Sequence, residues 1–299
     1  FAMIVGVVIG GGLINIAADL AGIVNQDAWI STIIGGLFAL VILNLGLSIN
    51  KGYPDKTLLE ISEYIFGKYL GKALNTLIII YFILLAGISV RIALNLILTW
   101  SLPRTPLEIL IIVFLFNAAY LARNGLQSIA RFSEILVMIL LPTFLLIFIP
   151  YKEWNFMHLL PIGNQPVPKY LEASVQSFYS YLGFEIVFFF YPYIVQSHRK
   201  IKRVANMSLI FIIVTYTGMV FFNTAAFGAE RLNDMLYTII NYSQAINLPI
   251  IERFDFFLIY FWTFALFHTS ALLYYFGFFS LKETFSLHTN WSFFLIVPV

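Results

Sequence analysis

Apolar runs long enough to cross a lipid bilayer recur along this chain, separated by short polar stretches. A membrane-crossing helix needs about 20 predominantly apolar residues. That measure predicts spans at residues 1–24, 29–49, 73–100, 106–122, 132–149, 173–195, 204–228 and 254–279, with a ninth starting near Trp291. The chain opens and closes inside apolar runs, as a piece of a longer protein would. Residues 1–20 lack the basic start and small-residue end of a signal peptide. Two further segments are amphipathic without spanning. Leu58, Ile61, Ile65 and Tyr69 share a helical face between spans 2 and 3, with Thr57 and Glu60 spaced as a capping box. Leu232, Met235, Leu236, Ile239 and Ile240 do the same between spans 7 and 8, before Pro249.

The loop cations orient these spans. The loops after spans 2, 4, 6 and 8 hold eleven Lys and Arg, against five on the other side. Cytoplasmic loops carry the excess of Lys and Arg, so those loops and the N-terminus are expected in the cytoplasm. The 1–2 connection contributes only the acids Asp19 and Asp27. The two amphipathic segments lie five spans apart and therefore on opposite sides. An inverted repeat of five plus five spans produces that arrangement; two unrelated surface helices on long loops would also do so.

Composition narrows the function classes. Hydrophobic residues make up 61% and charged residues 11%, about half the charge of a soluble domain. Net charge is +2, and no basic run suits nucleic acid. There is no cysteine, which removes disulfides, thiol nucleophiles and Cys-based zinc sites. No hydrolase, metalloprotease or phosphate-loop motif is found, so no catalytic residue, cofactor or metal is expected.

In inverted-repeat transporters the ligand lies near the midplane, where the first helix of each repeat is broken. Span 1 carries Gly10-Gly11-Gly12. Consecutive glycines weaken a helix and admit a ligand to bare backbone, whose N–H groups attract an anion such as a carboxylate. Close helix packing is the competing reading. Span 6 reads Ser177-Phe178-Tyr179-Ser180-Tyr181-Leu182-Gly183-Phe184-Glu185, followed by Pro192. Ser180, Leu182 and Gly183 are its candidate ligand residues. Glu185 is costly in hydrocarbon and is expected to face protein or water in a gating role, or else in a structural hydrogen bond.

These strings carry a resemblance. Ile9-Gly10-Gly11-Gly12-Leu13-Ile14 and Gly183-Phe184-Glu185 resemble the broken helices 1 and 6 of the amino acid–polyamine–organocation superfamily. More narrowly, the chain resembles the B subunits of bacterial spore germination receptors. Asp27-Ala28-Trp29-Ile30, Tyr53-Pro54-Asp55-Lys56-Thr57-Leu58, Leu102-Pro103-Arg104-Thr105-Pro106, Tyr120-Leu121-Ala122-Arg123-Asn124-Gly125-Leu126 and Ile251-Glu252-Arg253-Phe254-Asp255 carry that likeness. Asn15-Ile16-Ala17-Ala18 departs from the Leu-Pro-Arg-like exit usual there. The resemblance implies an all-α membrane protein with a five-plus-five inverted-repeat transporter fold, of which about nine of ten transmembrane helices are present. Its divisions would be repeat one at 1–150, an external linker at 151–172 and an incomplete repeat two at 173–299. It also implies a sensor of an amino acid or similar nutrient in the spore inner membrane, acting with A-type and lipoprotein C-type subunits.

Spans 3 and 8 should pass the two breaks. Tyr81 and Leu85 share one face of span 3, and His268, Thr269 and Ser270 form a polar cluster midway along span 8. Thr269 joins the candidate ligand residues. Packing alone would also explain Tyr81, and His268 reads as an interhelical hydrogen-bond donor. Arg91 needs a partner, with Glu134 or Glu185 the options. A secondary amino acid transporter of the same fold is the alternative to a sensor.

Overall fold

The computed structural model describes residues 1–145, 148–246 and 253–286. Pro249 and the expected ninth span lie outside the described residues. Every regular element among the described residues is a helix, as hydrocarbon demands of a backbone that must satisfy its own hydrogen bonds. The protein is therefore an all-α membrane protein. Among the described residues, four helical stretches are by themselves long and apolar enough to cross: Ile16–Gly52, Lys68–Trp100, His198–Phe227 and Phe254–Phe285.

Span 1 is split into α1 (Ala2–Gly12) and α2 (Ile16–Val24). A turn at Asn25, with φ 53°, leads into α3 (Ala28–Gly52). Then come α4 (Leu58–Phe66) and α5 (Lys68–Trp100). Next, α6 (Leu107–Arg123) and α7 (Leu126–Leu145) meet at Asn124-Gly125, where the axis bends by 115°. Span 6 is split into α8 (Val167–Ser180) and α9 (Ile186–Phe190). The order then repeats: a long α10 (His198–Phe227), two short surface helices α11 (Ala229–Asn233) and α12 (Thr238–Ser243), and a long α13 (Phe254–Phe285).

The main packing pairs are α3 with α10 and α5 with α13. Small residues let α3 approach its neighbours. A Cβ on Gly35 would fall 2.7 Å from the Ser174 carbonyl oxygen of α8, and one on Gly36 would fall 2.4 Å from Ile213 of α10. Asn44 and Asn206 exchange amide hydrogen bonds across α3 and α10, at 2.8 and 3.2 Å. Asn50 Nδ2 donates to the Phe188 carbonyl at 3.1 Å and so ties α3 to α9.

Both surface segments form, with differences. The capping box of Thr57 and Glu60 is present on α4, and Thr57 Oγ1 also donates to Glu283 Oε1 of α13 at 2.6 Å. The buried face of α4 is Leu59 and Ile61, whereas Ile65 and Tyr69 are exposed. Gly67, at φ 79°, ends α4 and turns the chain before Tyr69 can continue its face. The second segment is two helices rather than one, because Tyr237 adopts φ 63° between them. Leu232, Ile239 and Ile240 are buried there, but Leu236 is exposed.

Helix α8 begins at Val167, so residues 167–172 belong to the helix and not to a linker. Pro168 fits its first turn, where N–H groups lack intrahelical partners anyway. The remaining linker packs on the α11–α12 end of the bundle. Trp154 stacks on Phe222 at 4.2 Å, and buried Asp27 accepts from the Gly163 N–H at 3.0 Å and from the Tyr170 hydroxyl.

Candidate functional site

The glycine triplet forms the last turn of α1, and the break itself is Leu13-Ile14-Asn15. Ending a helix inside the protein leaves carbonyls without intrahelical donors. Side chains from three other helices bind carbonyls around the break. Trp262 Nε1 of α13 donates to the Gly10 carbonyl at 2.8 Å, and Tyr216 of α10 donates to the Val8 carbonyl at 2.7 Å. Thr238 of α12 donates to the Ile14 carbonyl at 3.1 Å. The Asn15 side chain accepts from the Tyr237 N–H at 2.7 Å.

The three glycines do different work. A Cβ on Gly10 would lie 2.1 Å from Thr269 Oγ1, and one on Gly12 would lie 2.0 Å from the Ser180 carbonyl oxygen. Those two glycines allow close helix packing. A Cβ on Gly11 would meet only Ile92 and Leu266, both at 3.9 Å. Gly11 lines the cavity described below, with room for a side-chain atom.

In span 6 the break runs from Tyr181 to Glu185. Gly183 adopts φ 114°, a conformation that L side chains rarely take, and packs against Val7. Glu185 accepts from the Gly183 N–H at 2.8 Å and from the Tyr81 hydroxyl at 2.6 Å. The carboxylate thus pins the break to α5. Tyr181, fully buried, donates to the Thr32 carbonyl of α3 at 2.9 Å.

Between the two breaks lies a cavity of about 560 Å³. Gly11, Gly12, Leu85, Ser180, Leu182 and Thr269 line it, all named from sequence. Gly10, Gly183 and the Tyr81–Glu185 pair are outside its lining and support it. Toward the α4 end, Phe82, Phe189 and Phe276 close the bundle, with ring centroids 5.0 to 5.9 Å apart. Polar lining residues that the sequence did not single out are Asn15, Asp19, Ser89, Asn95, Gln176, Tyr179 and Tyr237. Helical spacing points to two of them, since Ser89 is four residues beyond Leu85 and Gln176 four before Ser180.

The expected pairing of Arg91 is not formed. Arg91 lies on an exposed face of α5, Glu185 is held by Tyr81 and Gly183, and Glu134 is exposed. Among the described residues the one ion pair is Arg253–Asp255, at 2.8 Å. His268 Nε2 lies 2.6 Å from Ser133 Oγ of α7, the interhelical bond expected of it. Thr269 Oγ1 donates to the Val7 carbonyl at 3.1 Å, and Ser270 Oγ to the Leu266 carbonyl at 2.7 Å.

The fold is that of an all-helical membrane bundle with a cavity between two broken helices, an arrangement suited to a permease- or receptor-type protein. A family profile described as spore germination protein matches residues 1–299, and the chain belongs to that family. It is similar to spore germination protein GerQB of Bacillus cereus, 25% identical over 268 residues, which covers 88% of this chain and 73% of the relative. It is also similar to spore germination protein A2 of Bacillus subtilis (strain 168), 25% identical over 99% of this chain and 82% of the relative. Spore germination protein B2 of the same strain is 23% identical over 87% of this chain and 72% of the relative. The protein is a germination-related integral membrane protein.

Proposed function

We propose that this chain is the nutrient-sensing subunit of a spore germination receptor, and that it binds an amino acid or a similar small polar ligand in the cavity between the two breaks. The observation that carries this reading is the convergence of both interrupted helices, α5 and α13 on one cavity lined by polar and aliphatic side chains. Gly11, Gly12, Ser180, Leu182, Leu85 and Thr269 would contact the ligand. The Tyr81–Glu185 bond would transmit its presence to α5. The shared order of elements in the two halves, and the pairing of α3 with α10 and α5 with α13, favour the inverted repeat. The loop cations favour a cytoplasmic N-terminus in the spore inner membrane, and the family favours A-type and C-type partner subunits.

Gly11→Leu tests the site. Gly11 faces the cavity, so the variant inserts and folds while its leucine fills the ligand space. Ligand-induced thermal stabilisation is lost in that variant; unchanged stabilisation would move the ligand elsewhere. A transporter would use the same cavity, and uptake of labelled amino acids into proteoliposomes separates the two roles.

A further inference from the structure

We propose that the cavity selects a ligand bearing an ammonium group, with the Asp19 carboxylate as its counter-ion. The inference rests on reading this cavity as the ligand site. Asp19 sits in the first turn of α2, directly after the span-1 break, and lines the cavity as an exposed residue, open to solutes. Among the described lining residues it is the one carboxylate, and none is Lys, Arg or His. Its carboxylate makes no hydrogen bond or ion pair with a described side chain. The rest of the wall near this end offers neutral polar groups: Asn15 from the break, Asn95 and Ser89 from α5, and Gln176 and Tyr179 from α8.

Charge decides which end of a ligand approaches α2. A half-helix N-terminus attracts an anion, but here a carboxylate of the protein already occupies the first turn. A ligand carboxylate placed there would meet like charge, whereas an ammonium would meet an opposite charge without a competing partner. The nearest cation along α5 is Arg91, between the lining residues Ile88 and Asn95; it points to the exposed face and does not line the cavity. The neutral amides and hydroxyls then serve the remainder of the ligand. Amine-bearing molecules are favoured over anionic ones of the same size.

Charged thiol reagents can stand in for the ligand in a first test. The chain has no cysteine, so Asn95→Cys or Ser89→Cys places a single thiol in the wall. Its reaction rates with a cationic trimethylammonium-ethyl and an anionic sulfonatoethyl methanethiosulfonate are compared. The cationic-to-anionic rate ratio should exceed that of a free small thiol by on the order of tenfold, and Asp19→Asn should return it near the free-thiol ratio. A ratio at or below the free-thiol value in the single-cysteine protein overturns the proposal, whether or not Asp19→Asn folds. A ratio that Asp19→Asn, or Asp19→Ser, leaves unchanged also overturns it. If both wall thiols are inert while Lys169→Cys reacts, the cavity is closed to solutes and the site reading itself falls. Thermal stabilisation by amino acid amides, which carry the ammonium alone, should be lost in Asp19→Asn. Stabilisation by N-acetyl amino acids that Gly11→Leu abolishes and Asp19→Asn spares would keep the site and refute the role of Asp19.

Discussion

Adding one methyl group at each of three consecutive glycines probes the site and its packing separately. Gly10→Ala would place a methyl 2.1 Å from Thr269 Oγ1 and 3.2 Å from the Ala265 carbonyl oxygen. Overpacking of a tight contact costs about 1–3 kcal/mol. The Thr269 hydroxyl can rotate away only by giving up its bond to the Val7 carbonyl, which adds about 0.5–1.5 kcal/mol. Gly12→Ala is worse, because the methyl meets the Ser180 carbonyl oxygen at 2.0 Å. That oxygen belongs to the last turn of α8 and moves only with the backbone. Gly11→Ala meets nothing closer than 3.9 Å and gains up to about 1 kcal/mol of helix propensity. Thermal unfolding of the detergent-solubilised protein, read as the fraction that stays monodisperse, should rank Gly11→Ala at or above the parent, then Gly10→Ala, then Gly12→Ala. Thr269→Ala should partly rescue Gly10→Ala but not Gly12→Ala, with a coupling of at least about 1 kcal/mol. If Gly11→Ala destabilises as much as Gly12→Ala, the assignment of one glycine to the cavity and two to packing is wrong.

Tyr81→Phe and Glu185→Gln should each destabilise by about 1–3 kcal/mol, the cost of removing one partner of a buried hydrogen bond; a double-mutant cycle that gives zero coupling would show that their 2.6 Å contact holds nothing. Asp27→Ala should loosen the linker by stripping the Gly163 N–H and the Tyr170 hydroxyl of their acceptor, read as faster proteolysis between residues 150 and 166; an unchanged cleavage rate would refute that anchor. Ligand affinity should be similar in sodium and choline buffers, as expected of a sensor that binds its ligand without ion coupling; a tenfold loss without sodium, about 1.4 kcal/mol, would favour a coupled transporter. An impermeant maleimide should label Lys169→Cys and not Lys200→Cys from outside, and the opposite pattern would invert the orientation.

The spans are legible in the sequence because hydrocarbon imposes one dominant requirement, a long apolar helix. Their true ends are not, since helices continue past the depth at which apolar residues are required. Helix α10 starts at His198 and α7 at Leu126, each six residues before the apolar run. Arg199, Lys200 and Arg131 are exposed on those added turns, where charge costs little and the backbone still gains by staying helical. The break in span 6 is legible in Gly183 and Glu185, because a positive φ and a carboxylate in an apolar run each need a specific structural answer. The break in span 1 falls slightly later than the glycines suggest. Glycine marks both bare backbone and close packing, and only the distances to Thr269 and Ser180 separate the two.

Part of the cavity wall is beyond sequence reasoning for a different reason. Tyr237 reaches the site because the α11–α12 segment folds back over the bundle and its N–H binds Asn15, 222 positions earlier in the chain. No periodicity encodes a contact of that range. Asp19 is the instructive case. Counted with Asp27 as charge at a helix connection, it carries only topological information. Yet the two acids meet opposite fates: Asp27 is buried and bound by the Gly163 N–H and the Tyr170 hydroxyl, whereas Asp19 faces the cavity without a partner among the described side chains. A buried carboxylate held through one oxygen, as Asp27 is through Oδ2, reports on stability. One left exposed at a cavity wall reports on what comes to fill that cavity, and at this position an ammonium group supplies the missing charge.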